Sequence, residues 1–285
     1  MKISGQAAVV TGAATGIGFA MAELLASRGC KVMLADIEGE KVKAAAESLR
    51  GKAYEAEAMA CDVSDYSAVQ ALAEQAEDAF GPIRLVFANA GVMSSAPVIK
   101  YDPREVDWML GVNIKGVWNT CSIFGQKMLK QGSEGALCLT GSEHSLGVPH
   151  LGGGIYTATK HAVLGMADVM RAEMPDAVSV HVVCPGVTST ELYDSQRNSP
   201  AGPTPEQAKT MGAKVMSWGL APSYIAQRAL DGIEAGEFLI MTHPHVRAIA
   251  ERRAQDVSAA FDAAPEVENA EQYSVEALMA RLRGK

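Results

Sequence analysis

The stretch that decides the fold lies near the start of the chain and reads Ala7-Ala8-Val9-Val10-Thr11-Gly12-Ala13-Ala14-Thr15-Gly16-Ile17-Gly18. Its first four residues are apolar, which is typical of a buried strand, and helical periodicity follows from Ile17 to Arg28. Glycines between a strand and a helix allow a tight bend and let the backbone approach a phosphate group at the helix N-terminus. The stretch therefore predicts a nucleotide-binding turn, with a plain glycine-rich turn as the alternative.

The alternation of strand-like and helix-like segments continues along the chain. Because the strand-like runs are almost continuously apolar, they indicate a parallel sheet with helices on both faces. We therefore expect an α/β fold, a Rossmann-type doubly wound parallel sheet of about seven strands, in one domain spanning residues 1–285. The predicted strands are Ala7–Val10, Lys31–Ala35, Ala56–Cys61, Leu85–Ala88, Ala136–Thr140, Val178–Val183 and Phe238–Met241, and the predicted helices are Ile17–Arg28, Glu38–Arg50, Ser64–Phe80, Val106–Gln131, Tyr156–Met174 and Ser223–Glu234.

Two segments depart from this rhythm. Residues 187–218 are polar and rich in Ser, Pro and Gly, and a connection of this length inside a compact domain is commonly a binding loop or lid. We expect it to close over a substrate. Residues 242–285 form a C-terminal extension whose role the composition does not indicate. The apolar side chains of residues 187–218 that we expect to form a pocket wall are Leu192, Tyr193, Met211, Met216 and Trp218.

The composition excludes several classes of protein. The chain has 285 residues, 48% of them hydrophobic, and a formal net charge of -8 without a basic run, which argues against a nucleic-acid-binding surface. Its 5 cysteines are scattered and form no Cys-x-x-Cys pair, so neither a disulfide framework nor a metal site is expected. No signal peptide precedes the first strand, and no apolar run reaches the roughly 20 residues that cross a bilayer. We expect a cytoplasmic protein without a membrane partner.

Acidic residues follow the second and third predicted strands. Asp36 lies about 20 residues beyond the glycine turn, where a carboxylate can accept hydrogen bonds from the adenosine ribose and repel a 2′-phosphate. No Arg or Lys occupies positions 13, 14, 15 or 37, so the sequence favours NAD over NADP. Asp62 stands where a carboxylate can reach the adenine amine. Both acids could instead cap the elements that follow them, which is compatible with cofactor binding.

Tyr156 and Lys160 lie four residues apart in a predicted helix, so their side chains share one face. A phenol beside an ammonium group is a general acid–base pair. A charge about 4 Å away, at an effective dielectric constant of about 20, is worth roughly 4 kcal/mol, or about three pKa units. We therefore expect Lys160 to lower the pKa of Tyr156 from about 10 towards 7, where general bases work best.

Taken together, these motifs resemble those of the classical short-chain dehydrogenase/reductase family, most densely from Ala7 to about Thr190. The segment after the sixth predicted strand, Cys184–Thr190, also resembles the family. The sequence departs from the family at Ala88, where many members have Asn. The matching residues are Thr11–Gly18, Asp36, Asp62-Val63, Asn89-Ala90-Gly91, Asn113, the region of Ser142, Tyr156, Lys160 and Pro185-Gly186.

The resemblance implies a role for each of these positions. Tyr156 is the expected acid–base, Lys160 the residue that lowers its pKa and binds the nicotinamide ribose, and Asn113 the anchor of a water relay, unless it is only a helix-cap residue. Thr188 and Thr190 are expected to hold the carboxamide, so that hydride transfer is pro-S. The full set of expected cofactor contacts is Gly12, Thr15, Gly16, Ile17, Gly18, Asp36, Asp62, Val63, Asn89, Ala90, Gly91, Tyr156, Lys160, Pro185, Gly186, Thr188 and Thr190.

The serine that the family uses beside its tyrosine is less easily placed. It usually lies thirteen residues before the tyrosine, and Glu143 occupies that position here. Ser142 lies at the end of a predicted strand, where the family places its serine, and we select it; Ser145 is the alternative. His144 and His150 lie nearby without metal-ligand spacing and are expected to line the substrate pocket.

These inferences predict an NAD(H)-dependent oxidoreductase that interconverts a secondary alcohol and a ketone, with an apolar or bulky, possibly aryl-substituted substrate. The alternatives are an NADP-dependent ketone or 3-ketoacyl reductase and, from another class, a non-catalytic NAD-sensing interaction protein. The resemblance also implies a homo-oligomer, a tetramer or dimer, formed through the helices at Val106–Gln131 and Tyr156–Met174. Their apolar residues exceed what one face can bury.

Overall fold

A computed structural model of the chain describes residues 2–132, 134–148, 150–203 and 205–283. Within them, seven strands form one parallel sheet in the order β3-β2-β1-β4-β5-β6-β7, which confirms the predicted α/β sheet. The order reverses between β1 and β4, and ligands of such sheets bind outside the carboxyl ends of the strands at this point. The strands are β1 Ala7–Thr11, β2 Lys31–Asp36, β3 Ala56–Ala60, β4 Leu85–Ala88, β5 Gly135–Thr140, β6 Val178–Cys184 and β7 Leu239–Met241.

Helices connect the strands and continue into the C-terminal extension. Three short 3₁₀ segments, Val98–Lys100, Glu143–Ser145 and Ala270–Tyr273, accompany the longer 3₁₀ segment at Leu192–Asn198 among the described residues. The α-helices are α1 Gly16–Ser27, α2 Gly39–Arg50, α3 Tyr66–Phe80, α4 Pro103–Leu110, α5 Val117–Gln131, α6 Gly154–Glu173, α7 Glu206–Met216, α8 Pro222–Glu234, α9 Val246–Asp262 and α10 Val275–Leu282.

Side chains of the central strand alternate between two hydrophobic clusters, one on each face of the sheet. Ala8 and Val10 of β1 lie in the cluster under α1, α2 and α8, whereas Ala7 and Val9 lie in the cluster under α3, α5 and α6. Each of these four side chains is at most 7% exposed. Burial on both faces is why the strand reads as a continuous apolar run instead of an alternating one.

The helix predicted at Val106–Gln131 begins earlier than expected and is not α-helical throughout. Helix α4 begins earlier, at Pro103, because Asp102 caps it by accepting a hydrogen bond of 2.8 Å from the Arg104 amide. A π-helical segment, Gly111–Gly116, then separates α4 from α5. Such insertions in a helix are rare and often occur at functional sites.

Residues 187–218 are not a continuous irregular loop. The segment contains the 3₁₀ turns at Leu192–Asn198 and the helix α7, which begins directly after Pro205. Its chain also runs beside the start of α8, since Ser189 donates to the Leu220 carbonyl and Leu220 donates to that of Val187. Two backbone hydrogen bonds therefore hold the base of the segment in place.

The C-terminal extension packs one end against the site region and leaves the rest exposed. A Cβ at Gly147 would lie 2.4 Å from Ile249 Cγ2 of α9, so glycine is required for this close approach. From Glu251 onward the extension is largely exposed, including Phe261 within α9 and Leu282 within α10. Across the part of the chain that the structure describes, none of the helices combines the length and the apolar character needed to traverse a membrane.

Candidate active site

One cavity follows the carboxyl edge of the sheet, from Asp36 at the end of β2 to Tyr156 and Lys160 on α6. It lies at the point where the strand order reverses. Of the predicted catalytic and cofactor-binding residues, Asn113 alone does not line it. Those that do are Gly12, Thr15, Gly16, Ile17, Gly18, Asp36, Asp62, Val63, Asn89, Ala90, Gly91, Ser142, Tyr156, Lys160, Pro185, Gly186, Thr188 and Thr190.

The glycine turn has the geometry of a pyrophosphate cradle. Gly12 and Gly16 have φ angles of 64° and 59°, and a Cβ at Gly18 would lie 2.1 Å from the Gly12 carbonyl oxygen. Thr15 stands at the N-cap of α1 but makes no capping hydrogen bond with its side chain, and the first turn holds no acidic residue. The first N–H groups of α1 are thus free to bind an anion, so these residues fit the diphosphate of a dinucleotide.

The loop beyond β4 is attached to this turn by Asn89. Its Nδ2 donates to the carbonyls of Thr11 and Gly12, at 3.0 and 3.3 Å, while its Oδ1 accepts from Thr140 Oγ1 at 3.1 Å. One amide side chain therefore links the ends of β1, β4 and β5. The change to Ala88 leaves these contacts intact.

Both predicted adenosine-binding acids also stabilise local structure. Asp36 accepts hydrogen bonds from the backbone amides of Ala14 and Glu38, at 3.1 and 3.0 Å. Asp62 Oδ1 accepts from the amide and hydroxyl of Ser64, at 2.9 and 2.8 Å. Because each carboxylate has about four acceptor positions, these contacts leave capacity for a ligand. The capping alternative and the cofactor role are thus compatible in the structure.

A charged cluster beside Asp36 was not foreseen from the sequence. Arg197, from the segment 187–218, donates through Nε to both carboxylate oxygens of Glu38 at 3.2 Å, and Lys41 Nζ lies 3.0 Å from the same carboxylate. The hydrogen bond from Arg197 is the main reason why the pKa of Glu38 is lowered to about 2. The pair ties this segment to the start of α2. Since its partners lie 159 positions apart, no local pattern could have revealed it.

Ser142, rather than Ser145, lies beside Tyr156. A hydrogen bond between the Ser142 and Tyr156 side chains acts to lower the pKa of the phenol, whereas the Ser145 hydroxyl donates to the Lys160 carbonyl at 2.8 Å. Ser145 Oγ also accepts from the Ser142 amide at 3.1 Å. Ser145 is therefore occupied in holding the turn after β5 against α6, and the geometry favours Ser142 as the side chain that reaches a substrate.

The expected lowering of the Tyr156 pKa by Lys160 is wrong for the chain by itself. Burial raises the pKa of Tyr156 to about 12, and burial also lowers the pKa of Lys160 to about 8. Lys160 Nζ donates to the Thr140 carbonyl at 2.7 Å and lies 5.6 Å from the Tyr156 ring centre. The argument from charge alone omitted desolvation, which here exceeds the attraction between the two groups.

Asn113 lies in the π-helical segment and is completely buried. Its side chain accepts from the Val92 amide at 2.8 Å and donates to the Val92 carbonyl and to Thr159 Oγ1, at 2.9 and 3.1 Å. The amide thus holds the backbone after Gly91 close to α6. Because the side chain is engaged in this way, a water relay at Asn113 would have to use its backbone carbonyl.

Comparison with known proteins assigns the family. The profile of the short chain dehydrogenase family matches residues 6–201. The chain belongs to the short-chain dehydrogenase family. A relative named C alpha-dehydrogenase, from Sphingobium sp. (strain NBRC 103272 / SYK-6), is 29% identical over 293 aligned positions, which cover 96% of this chain and 92% of the relative.

Two solved structures extend the comparison. A Burkholderia phymatum member in complex with NAD superposes with a TM-score of 0.85, at 28% identity, and the match covers 94% of this chain and 99% of that one. An alcohol dehydrogenase from the archaeon Thermococcus sibiricus, complexed with 5-hydroxy-NADP, gives a TM-score of 0.70 at 26% identity, covering 83% and 95%. Both nicotinamide cofactors therefore occur among structures similar to this chain.

In this short-chain dehydrogenase, the start of the C-terminal extension supports the segment expected to hold the nicotinamide carboxamide. His243 Nδ1 accepts from the Gly186 amide at 3.0 Å, and Nε2 lies 3.1 Å from the Val187 carbonyl oxygen, which can only accept. These contacts assign the proton to Nε2. Thr190 lies against Gly16, so the same segment meets the glycine turn. The sequence gives no sign of this role for His243, because its partners are more than 50 residues away.

Two histidines form a polar wall beside Tyr156. The His144 ring meets the Tyr156 ring edge-on, with 5.1 Å between centres, and burial lowers the pKa of His144 to about 4, so that it is neutral. His144 Nδ1 lies 2.7 Å from Thr157 Oγ1, and Nε2 lies 3.2 Å from His150 Nε2. Both ring nitrogens of His144 are thus already bonded within the protein, although His144 and His150 do line the cavity, as expected.

Proposed function

We propose that this short-chain dehydrogenase is an NAD(H)-dependent enzyme that interconverts a secondary alcohol and a ketone. The observation that carries the proposal is the shared cavity, which has Ser142, Tyr156 and Lys160 at one end and Asp36 at the other. A buried phenol hydrogen-bonded to a serine hydroxyl, with a lysine ammonium nearby, suits proton exchange with an alcohol oxygen.

The protein residues divide the work as follows. Ser142 donates a hydrogen bond to the substrate oxygen, and Tyr156 accepts the hydroxyl proton during oxidation or returns it during reduction. Lys160 supplies positive charge close to the phenolate and passes protons onward through a water at the Asn113 backbone. The first turn of α1 and the carboxylate of Asp36 hold the two ends of the dinucleotide. The nicotinamide, when bound, supplies the hydride acceptor or donor.

Support for NAD over NADP comes from Asp36 and from the pairing of Arg197. A 2′-phosphate would meet the Asp36 carboxylate, while Arg197, which lines the same cavity, is already engaged by Glu38. The similar Burkholderia phymatum structure is a complex with NAD, which agrees with this choice. An NADP-dependent ketone or 3-ketoacyl reductase is the alternative, and a cofactor comparison discriminates between them.

We further propose an apolar or bulky, possibly aryl-substituted substrate, covered by residues 187–218 as a lid. Val187, Leu192 and Met216 from this segment line the cavity. Tyr193, Met211 and Trp218 do not line it, and Trp218 is 73% exposed, so only part of the expected apolar wall is available. The nearly full-length relationship to a C alpha-dehydrogenase is consistent with a secondary-alcohol substrate.

The proposal places one domain, residues 1–285, in a cytoplasmic homo-oligomer. Of the apolar residues on α5 and α6, Val117, Phe124 and Val163 are buried inside the chain, but Trp118 and Val169 are 47% and 57% exposed. Exposed apolar side chains on two neighbouring helices are suited to association between copies. Light scattering at micromolar concentration tests this part, and a monomer would refute it.

The experiment that tests the function measures NADH or NADPH formation with a panel of secondary alcohols. We expect oxidation with NAD and a kcat/KM at least about tenfold lower with NADP. A preference for NADP would support the reductase alternative. Binding of NAD with no turnover on any secondary alcohol or ketone would instead support the NAD-sensing interaction protein.

A further inference from the structure

A buried carboxylate lies beside the predicted catalytic serine, in the position where the family resemblance led us to look for the serine itself. Glu143 is only 6% exposed, and it lines the same cavity as Ser142 and Tyr156. Its backbone amide donates to the Pro185 carbonyl at 2.8 Å, which fixes the residue between the end of β5 and the segment after β6. A buried acid in a substrate cavity is costly unless its oxygens find donors.

Only one of the two carboxylate oxygens of Glu143 has a partner. Oε2 lies 3.2 Å from His245 Nε2, whereas none of the described residues donates to Oε1. In the described part of the chain, Asn119 Oδ1 is the sole side-chain polar atom that is fully enclosed and has no partner. Glu143 Oε1 also has no partner there, so it cannot be fully enclosed and is accessible. Accessible surface on a buried residue that lines the cavity means that Oε1 faces the cavity.

The two histidines that line the same cavity are already bonded within the protein. Both ring nitrogens of His144 have partners, and so does the Nδ1 of His150, which contacts the Leu151 carbonyl at 2.9 Å. Glu143 therefore offers the substrate an acceptor without a protein donor. Because Oε2 is already paired with His245, Oε1 is the carboxylate oxygen left for a donor on the substrate.

The position of the Glu143 carboxylate determines where on the substrate the donating group must lie relative to the reacting carbon. Glu143 directly follows Ser142, and its charge is close enough to Tyr156 to act on the pKa of the phenol, in the direction that raises it. On its other side, Glu143 Oε2 lies 3.1 Å from the place of a Cβ on Gly186, in the segment expected to hold the nicotinamide. The acceptor therefore lies in the part of the cavity that also holds Ser142, Tyr156 and Gly186.

We infer that Glu143 accepts a hydrogen bond from a second hydroxyl group on the carbon next to the carbinol, so that the preferred substrates are vicinal diols. This inference rests on the proposed function and names its substrate class. It agrees with an apolar or aryl-substituted remainder of the substrate, for which Val187, Leu192 and Met216 supply apolar cavity lining. Glu143 is then a specificity-determining residue that touches the substrate without taking part in proton transfer.

The test compares three compounds that differ in one group: α-methylbenzyl alcohol, its vicinal diol styrene glycol, and the amino analogue phenylethanolamine. The variants are Glu143→Leu, which removes the acceptor, Glu143→Gln, which retains its shape in case the leucine variant does not fold, and His245→Gln. The last variant removes the partner of Oε2 but keeps the carboxylate. The quantity measured is the ratio of kcat/KM for styrene glycol to that for α-methylbenzyl alcohol, with NAD.

We expect the wild-type ratio to be about tenfold or more, the usual effect of a hydrogen bond to a charged group. The ratio should fall towards one in Glu143→Leu, fall partly in Glu143→Gln and persist in His245→Gln. Any of three results would overturn the inference. They are a wild-type ratio near one, equal losses on both substrates in the Glu143 and His245 variants, and a preference for phenylethanolamine. Oxidation of the monoalcohol without preference for the diol refutes only this inference, whereas absence of NADH from every secondary alcohol refutes the proposed function.

Discussion

The buried ammonium group of Lys160 should destabilise the cofactor-free protein, and replacing it with methionine should measure this cost. Lys160 is 3% exposed, and no carboxylate in the described residues forms an ion pair with it. Among the described residues, the ammonium group makes one hydrogen bond, which Nζ donates to the Thr140 carbonyl. Burial lowers the pKa of Lys160 from 10.5 to about 8, which corresponds to about 3 kcal/mol at most.

The sign of the effect follows from proton binding. Between pH 8 and 10.5 the unfolded chain keeps the Lys160 proton while the folded chain loses it, so the stability of the wild type should rise with pH across this window. The Lys160→Met variant lacks this titrating group, so its free energy of unfolding should not show this rise with pH. Its free energy of unfolding, relative to wild type, should therefore be most favourable below pH 8 and decline by up to about 3 kcal/mol towards pH 10.5. The lost hydrogen bond shifts the difference equally at every pH and does not change its slope.

The assay is urea unfolding of both cofactor-free proteins at one fixed concentration, followed by tryptophan fluorescence at several pH values. Lys43→Met is the matched control, because Lys43 is exposed and its neighbour Glu40 raises its pKa, so its removal should produce no such decline. A difference between Lys160→Met and wild type that does not change with pH would refute the reasoning. The same variant should bind NAD weakly, since it loses the proposed ribose contact.

Three further predictions concern the cofactor, the serine and the lid. Replacing Asp36 with Ala and Ile37 with Arg should shift the kcat/KM preference towards NADP, because it removes a repulsive carboxylate and adds a phosphate partner; an unchanged preference would contradict this role for Asp36. Ser142→Ala should lower kcat by about two orders of magnitude or more, whereas Ser145→Ala should chiefly lower the unfolding temperature by releasing the turn from α6; the reverse ranking would move the substrate contact to Ser145. Arg197→Gln should raise the dissociation constant of NAD several-fold by freeing the lid from α2, measured by fluorescence titration, and unchanged affinity would show that the pair does not hold the site closed.

Those parts of the fold that depend on local pattern could be predicted from the sequence. The central strands were recognisable because a strand buried on both faces must be apolar throughout, as in β1. The early start of α4 had a visible signal in Asp102-Pro103, a capping residue followed by a proline at the first helical position. Helix α7 is hard to predict because prolines are also typical of irregular loops, although Pro205 directly precedes its first residue.

Contacts between distant segments could not be predicted. The pairing of Arg197 with Glu38 and the support of Gly186 by His243 join residues that no sequence periodicity relates. The choice between Ser142 and Ser145 was open in the sequence because both lie after β5, and it needed the observation that Ser145 bonds to α6. The pKa of Tyr156 was misjudged because burial, unlike charge, cannot be read from spacing along the chain.

The measurement that tests the central claim most directly compares wild type with Tyr156→Phe, in NADH formation from a secondary alcohol and in NAD affinity by fluorescence. Phenylalanine keeps the ring and removes the titrating hydroxyl. We therefore expect turnover to be abolished and NAD affinity to stay nearly unchanged, while the wild-type oxidation rate rises with pH as Tyr156 deprotonates. A Tyr156→Phe enzyme with near-wild-type turnover would contradict the account.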